Sequence, residues 1–141
     1  MATGVGCVFP EHFTYQYIEA VDDSPAQDIR QHFDGALNFM RNAVEKGGKV
    51  RKIILENYYI RTYEHLCDYW AHFKLLIKVL VHCNIGVSRS ATLVIAYIMK
   101  YEGKTFKESF LQVQSGRYFI SPNEGFVAQL RQFEEELKAQ K

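Results

Sequence analysis

Val79-Leu80-Val81-His82-Cys83-Asn84-Ile85-Gly86-Val87-Ser88-Arg89-Ser90 places a cysteine at the end of an apolar run and an arginine six positions further on. The apolar stretch Ala91-Thr92-Leu93-Val94-Ile95-Ala96-Tyr97-Ile98-Met99 follows at once and is long enough for a helix. The order is strand, loop, helix. A loop in that position turns successive backbone N–H groups toward one point, and the helix N-terminus adds partial positive charge. The resulting cup, formed by Asn84, Ile85, Gly86, Val87, Ser88 and Arg89, suits a tetrahedral oxyanion. It also lowers the pKa of a cysteine at its rim, making Cys83 a thiolate nucleophile. Arg89 supplies a planar fork, two donors against two phosphate oxygens. Gly86 lets the backbone approach the anion with no Cβ in the way. The plain alternative is a buried structural cysteine beside a surface arginine. At average residue usage the pattern His-Cys-x-x-Gly-x-x-Arg-Ser/Thr arises by chance in roughly one chain per 10⁵ of this length, which favours the phosphate cup.

The rest of the chain is consistent with an intracellular enzyme. At 141 residues and 48% apolar, one domain with a real core is expected. Three cysteines, Cys7, Cys67 and Cys83, are too few and too scattered for a disulfide framework, and none has metal-ligand spacing. No metal and no cofactor are expected. Met1 to Gly6 lacks a basic region leading into an apolar run, so no signal peptide is read there. Phe73 to Val81 is interrupted by Lys74 and Lys78 and is too short to span a bilayer. A formal net charge of +1 argues against a broad nucleic-acid surface. The expected location is the cytoplasm, with the nucleus open.

Phe13 to Val21 alternates Phe13, Tyr15 and Tyr17 with polar residues and reads as a strand. Ile29, Phe33, Leu37, Met40 and Val44 recur at helical spacing. Asp28-x-x-Gln31 is a capping box for that helix, Ser24-Pro25-x-Gln27 a competing start one turn earlier, and Gly47-Gly48 the stop. Thr105 opens a short helix carrying Phe106, Phe110 and Val113. Ser121-Pro122-x-Glu124 predicts the cap of a last one, with Phe126, Leu130, Phe133 and Leu137 on one face. The order β-α-β-loop-α-α-α indicates an α/β fold with the Val79–His82 strand inside the sheet.

A phosphate leaving a hydroxyl also needs a proton on the departing oxygen. Asp22 and Asp23 follow the first strand, and the C-terminal ends of parallel strands share one edge of an α/β sheet, so their loop could face the Cys83 loop. Taken alone, both aspartates read better as solvated turn residues.

The Cys83–Arg89 pattern resembles the signature of the cysteine-dependent phosphatases of the protein-tyrosine phosphatase superfamily. The sequel Ser90 to Met99 and the stretch Ser121-Pro122-Asn123-Glu124-Gly125-Phe126 resemble its dual-specificity branch. The likeness covers Ala2 to Lys49 and Val79 to about Leu137. It implies a mixed sheet with the phosphate-loop strand at its centre, flanked by helices. It implies hydrolysis of phosphotyrosine and phosphoserine or phosphothreonine through a phosphocysteine, without a metal. By the same resemblance the general acid lies on the loop after the first strand. Counting back from Phe33 and Ile29 and matching Asp-x-Pro sets it at Asp23, with Asp22 the second choice. Ser90 would hydrogen-bond the sulfur as the phosphocysteine breaks down, although a helix N-cap explains a serine there too. His82 would orient the loop, or be an ordinary satisfied core histidine. Asn123 would support the loop from behind, or be a cap-region polar residue. The partners implied are phosphorylated proteins, MAP kinase pathway members among them, acted on by a monomer that needs neither nucleic acid nor membrane.

Two departures from the family bear on activity. The chain opens at Met1-Ala2-Thr3-Gly4, where family members are already past their first helix and strands, so the first strands are expected to be missing. Val50 to Lys78 then interrupts what the family reads as one continuous run into Val79. Leu55, Tyr59, Leu66, Trp70, Phe73 and Ile77 fit an extra amphipathic helix at the far end of the sheet. The sharper reading is a retained intron, since Val50-Arg51 can be encoded by a splice-donor sequence and Lys78 by a codon ending in the acceptor dinucleotide. Residues 1–141 are thus read as one catalytic domain with an atypical insertion at 50–78. The alternatives are a catalytically impaired or misfolded splice product, a phosphate-binding pseudophosphatase, and, further off, a phosphoinositide or RNA 5′-phosphatase. The neutral loop residues Asn84, Ile85, Val87 and Ser88 and the charge balance speak against the last two.

Overall fold

From Arg89 to Met99 every residue is buried, so the helix containing them is enclosed on all sides and forms the middle of the protein. The computed structural model describes residues 14–18, 21–45 and 79–140. Its elements are a 3₁₀ turn (Arg30–His32), α1 (Phe33–Glu45), α2 (Arg89–Glu102), α3 (Phe106–Gly116) and α4 (Glu124–Ala139). α2 packs against α1, α3 and α4. The core joins Phe33, Leu37 and Met40 of α1 to Ile95, Ala96 and Met99 of α2, Val113 of α3, and Phe126, Leu130 and Phe133 of α4. Phe33 and Phe133 meet edge to face with ring centres 5.1 Å apart, the arrangement that aromatic quadrupoles favour.

The helix ends follow local chemistry. Gly103, at φ 68°, takes the left-handed conformation that ends α2. Thr105 opens α3 as expected, and with Glu108 it forms a capping box. Asp28 begins the winding that leads into α1: its carboxylate accepts from the Gln31 N–H at 3.3 Å, and Gln31 Nε2 donates to the Asp28 carbonyl at 2.8 Å. The competing start at Ser24 is a turn instead, closed by the Gln27 N–H on the Ser24 carbonyl at 3.0 Å. One expected cap moves. α4 begins at Glu124 rather than Pro122, with Asn123 Oδ1 accepting from the Phe126 N–H at 2.9 Å. Ser121 lies outside the helix, with its N–H donating to the Val87 carbonyl at 3.0 Å.

No strand occurs among the described residues. Residues 14–18, 21 and 79–83 belong to no regular element. The glycine stop Gly47-Gly48, the Val50–Lys78 segment, Cys7, Cys67 and the chain's opening residues lie outside the described residues. No helix among the described residues is long and apolar enough to cross a membrane.

Ser109 on α3 is 0% exposed, and its hydroxyl has no hydrogen-bond partner among the described residues. Ser109→Ala removes a buried unpaired group and improves helix propensity, so it should raise stability by about 1 kcal/mol. The urea midpoint should rise at constant slope; a fall would mean that the hydroxyl is bonded.

Candidate active site

Cys83 lies at the foot of the loop 84–88, where the chain turns into the N-terminus of α2. Gly86, at φ 65°, takes a left-handed conformation that a side chain would strain. The turn brings the Gly86 and Ser90 backbone N–H groups onto the Cys83 sulfur, and Ser90 Oγ lies 3.3 Å from it. Burial pushes the thiol pKa up. The Ser90 hydroxyl, the two N–H groups and the Arg89 charge outweigh it, and the thiol ends below its ordinary value. Ser88, not Ser90, stands at the N-cap of α2. The capping alternative for Ser90 therefore falls away, because its hydroxyl is engaged with the sulfur.

The loop carbonyls are drawn outward. Arg117 Nη2 donates to the Ile85 carbonyl at 2.9 Å, while its guanidinium lies 3.8 Å from the Phe119 ring centre. The Ser121 N–H takes the Val87 carbonyl, and the Thr92 N–H and hydroxyl both take the Ser88 carbonyl at 2.9 Å. Occupied carbonyls on the outside leave the N–H dipoles of the cup to face an anion. Ile85 sits on the rim with 55% of its surface exposed, and Asn84 is half-buried beside it.

Arg89 is buried. Nη1 donates to the Val21 carbonyl at 2.9 Å, and Nε is enclosed with no partner among the described residues. An enclosed cationic donor without an acceptor is costly, and a bound oxyanion would satisfy it. The Val21 contact also ties the arginine to the base of the Asp22–Asp23 loop.

Asn123 joins three elements. Its N–H donates to Ser88 Oγ at 3.2 Å, its Oδ1 caps α4, and its Nδ2 donates to Asp23 Oδ1 at 2.8 Å. Its side chain caps α4 and reaches Asp23, while its contact with the phosphate loop is made by the backbone N–H. The bond to Asp23 places that carboxylate one side chain away from the phosphate loop and leaves Oδ2 out of it. Asp22 has no such link among the described residues. His82 is half-buried, and burial lowers its pKa against the opposing effect of a hydrogen bond to the Cys83 backbone. That leaves a neutral imidazole near neutral pH. Among the described residues, no three His, Cys, Asp or Glu side chains converge as a metal site.

Cys83, Ser90, Arg89, Asn123 and Asp23 therefore come together, as do the loop residues between them. The Val21 carbonyl and Arg117 were not legible as part of the site. Each acts from a distance in sequence on a backbone atom, and a single sequence carries no signal for such a contact.

The family profile described as "Dual specificity phosphatase, catalytic domain" matches residues 73–136. Dual specificity protein phosphatase 1B of Arabidopsis thaliana is 33% identical over 138 residues, covering 98% of this chain and 65% of that protein. MAP kinase phosphatase with leucine-rich repeats protein 3 of Dictyostelium discoideum is 37% identical over 129 residues, 92% of this chain and 12% of that protein. The chain thus spans less than two thirds of either relative. The crystal structure of human DUSP28 superposes with a TM-score of 0.62 at 30% identity, covering 86% of this chain and 64% of that one. The described residues therefore share a protein-tyrosine phosphatase-like fold.

Proposed function

We infer that this chain, which belongs to the dual specificity phosphatase family, hydrolyses phosphate esters of proteins through a phosphocysteine intermediate. The observation that carries this reading is the Cys83 sulfur, held at the cup by the Ser90 hydroxyl and two backbone N–H groups. The Cys83 thiolate attacks phosphorus, and the ester P–O bond breaks as Asp23 gives its proton to the departing oxygen. Arg89, through Nε and its remaining guanidinium N–H groups, holds the equatorial oxygens together with the loop amides of residues 84–89. In the second half, Asp23 takes a proton from a water molecule that attacks phosphorus. The S–P bond breaks, and Ser90 donates to the returning thiolate. His82 steadies the Cys83 backbone, and Asn123 keeps the acid loop and the phosphate loop in register.

The substrates on this reading are phosphorylated proteins, including members of MAP kinase pathways, in line with the name of the Dictyostelium relative. The uncharged residues at Asn84, Ile85, Val87 and Ser88 suit a phosphorylated side chain better than a multiply charged headgroup. The same reading takes residues 1–141 as one catalytic domain of a cytoplasmic or nuclear monomer, with the Val79–His82 run central in a mixed sheet and 50–78 inserted. Transcript reads that all retain the 50–78 segment would remove its interpretation as an intron.

The test is hydrolysis of a small aryl phosphate by the purified chain. Turnover should be blocked by vanadate and untouched by EDTA, and loss of activity on chelation would contradict thiolate chemistry. It should also persist below the pH at which an ordinary thiol ionises, because the Cys83 pKa is lowered.

Arg89→Lys keeps the charge but loses the fork and the Val21 contact. Both oxyanion binding and turnover should fall, with kcat/KM falling more than vanadate affinity because the fork matches the transition state best. Steady-state kinetics with vanadate inhibition measure the two together. Wild-type values for both would mean that Arg89 does not touch the phosphate.

A further inference from the structure

The residue that braces the acid loop is remote from the cup. Gln129 sits on α4, one and a half turns beyond the Asn123 cap, and its side-chain amide makes three bonds to a segment about a hundred residues away in sequence. Oε1 accepts from the Ile29 N–H and the Arg30 N–H, each at 2.9 Å. Nε2 donates to the Gln27 carbonyl at 2.7 Å. The 3₁₀ turn starting at Arg30 has no side-chain cap of its own from Ile29, so Gln129 satisfies N–H groups that this helical start would leave open. Two further contacts lie on the same edge of α4. Asn123 Nδ2 holds Asp23 Oδ1. A Cβ on Gly125 would come 2.0 Å from the Pro25 carbonyl oxygen, so the loop backbone lies directly against this glycine. Residues 23–30 are thus fastened to α4 at the front, the middle and the rear.

We infer that Gln129 is a positioning residue for the chemistry: by fixing Gln27, Ile29 and Arg30 on α4 it sets where the Asp23 carboxyl stands relative to the Cys83 cup. The inference rests on the reading of Asp23 as the general acid. Asp23 itself sits on an exposed turn and is held by one hydrogen bond among the described residues, so its location depends on the backbone that carries it. A proton transfer is sensitive to such placement, and a shift on the order of 1 Å in a reacting group costs up to about 10²-fold in rate. The cup is built from residues 83–90 and tied to Arg117, Ser121 and Asn123, none of which bonds Gln129. Loss of Gln129 should therefore injure proton donation and spare the thiolate.

The experiment uses the full chain and two substrates, an alkyl or phenyl phosphate with a high-pKa leaving group and a nitrophenyl phosphate. Gln129→Leu keeps the size and loses all three bonds. Turnover of the poor leaving group should fall by roughly 10-fold to 10²-fold, while the nitrophenyl ester is barely affected. In an Asp23→Ala background, Gln129→Leu should cause no further loss, because there is no acid left to position. Gln129→Glu, which can still accept from the Ile29 and Arg30 N–H groups but cannot donate to the Gln27 carbonyl, should show the same leaving-group selectivity to a smaller degree; it carries the test if Gln129→Leu does not fold. Equal slowing of both substrates, additive losses in the double variant, or unchanged kinetics would overturn the assignment. If Asp23→Ala alone shows no leaving-group dependence, the acid has been misassigned, and that outcome is read independently of the Gln129 variants.

Discussion

Cys83→Ser is expected to stop turnover, by a factor on the order of 10⁴–10⁶, while leaving the binding of phosphate or vanadate nearly intact. The serine hydroxyl has no access to an anionic form near neutral pH, whereas the thiol is set below its ordinary pKa by the Ser90 hydroxyl, two loop N–H groups and Arg89. None of those donors depends on the sulfur for its position. The Gly86 turn, the Ser121 bond to the Val87 carbonyl and the Thr92 bonds to the Ser88 carbonyl remain in the variant. An inert but folded cup should therefore still bind the anion, as titration calorimetry with phosphate or vanadate would measure. A Cys83→Ser chain that turns over would place the nucleophile elsewhere. One that neither turns over nor binds, at unchanged thermal stability, would show that the sulfur organises the cup.

The second large effect belongs to the carboxylate pair. Asp23→Ala should slow a substrate with a high-pKa leaving group by roughly 10²–10⁴-fold and a nitrophenyl ester far less, since a nitrophenolate departs with little help from a proton. The pH profile separates the two functional groups. The limb on which rate rises with pH as Cys83 ionises should survive, and the limb on which rate falls as the acid loses its proton should disappear. Asp22→Ala should be close to wild type, because Asn123 holds Asp23 and makes no bond to Asp22 among the described residues. If Asp22→Ala carries the leaving-group-dependent defect instead, the register read from Asp23-Ser24-Pro25 is off by one.

What the sequence made legible was local. The Cys83–Arg89 spacing announced a loop over a helix N-terminus, and Thr105 announced the start of α3, because each device is complete within a few residues. The apolar faces of α1 and α4 were legible from their period, and Phe33, Leu37, Phe126, Leu130 and Phe133 are indeed buried. The start of α4 was misplaced because Ser121 and Asn123 are both good caps, and local spacing alone does not choose between them. The same holds for the acid. That Asp23 adjoins the phosphate loop is decided by an amide a hundred residues away, a relation that periodicity and spacing do not carry. The strands expected at Phe13–Val21 and Val79–His82 depend on pairing with distant segments, a relation that periodicity within one stretch does not carry, and no strand occurs among the described residues.

The most direct test of the account is to catch the phosphoryl group on the enzyme. The chain is denatured in mid-turnover on an aryl phosphate, digested, and its peptides weighed. One phosphoryl group should be found on the peptide carrying Cys83. It should be more abundant in Ser90→Ala, where the hydroxyl 3.3 Å from the sulfur no longer assists the departing thiolate, and absent in Cys83→Ser. Steady turnover with no phosphoryl group on any peptide, or with the group on a residue other than Cys83, would contradict the phosphocysteine mechanism.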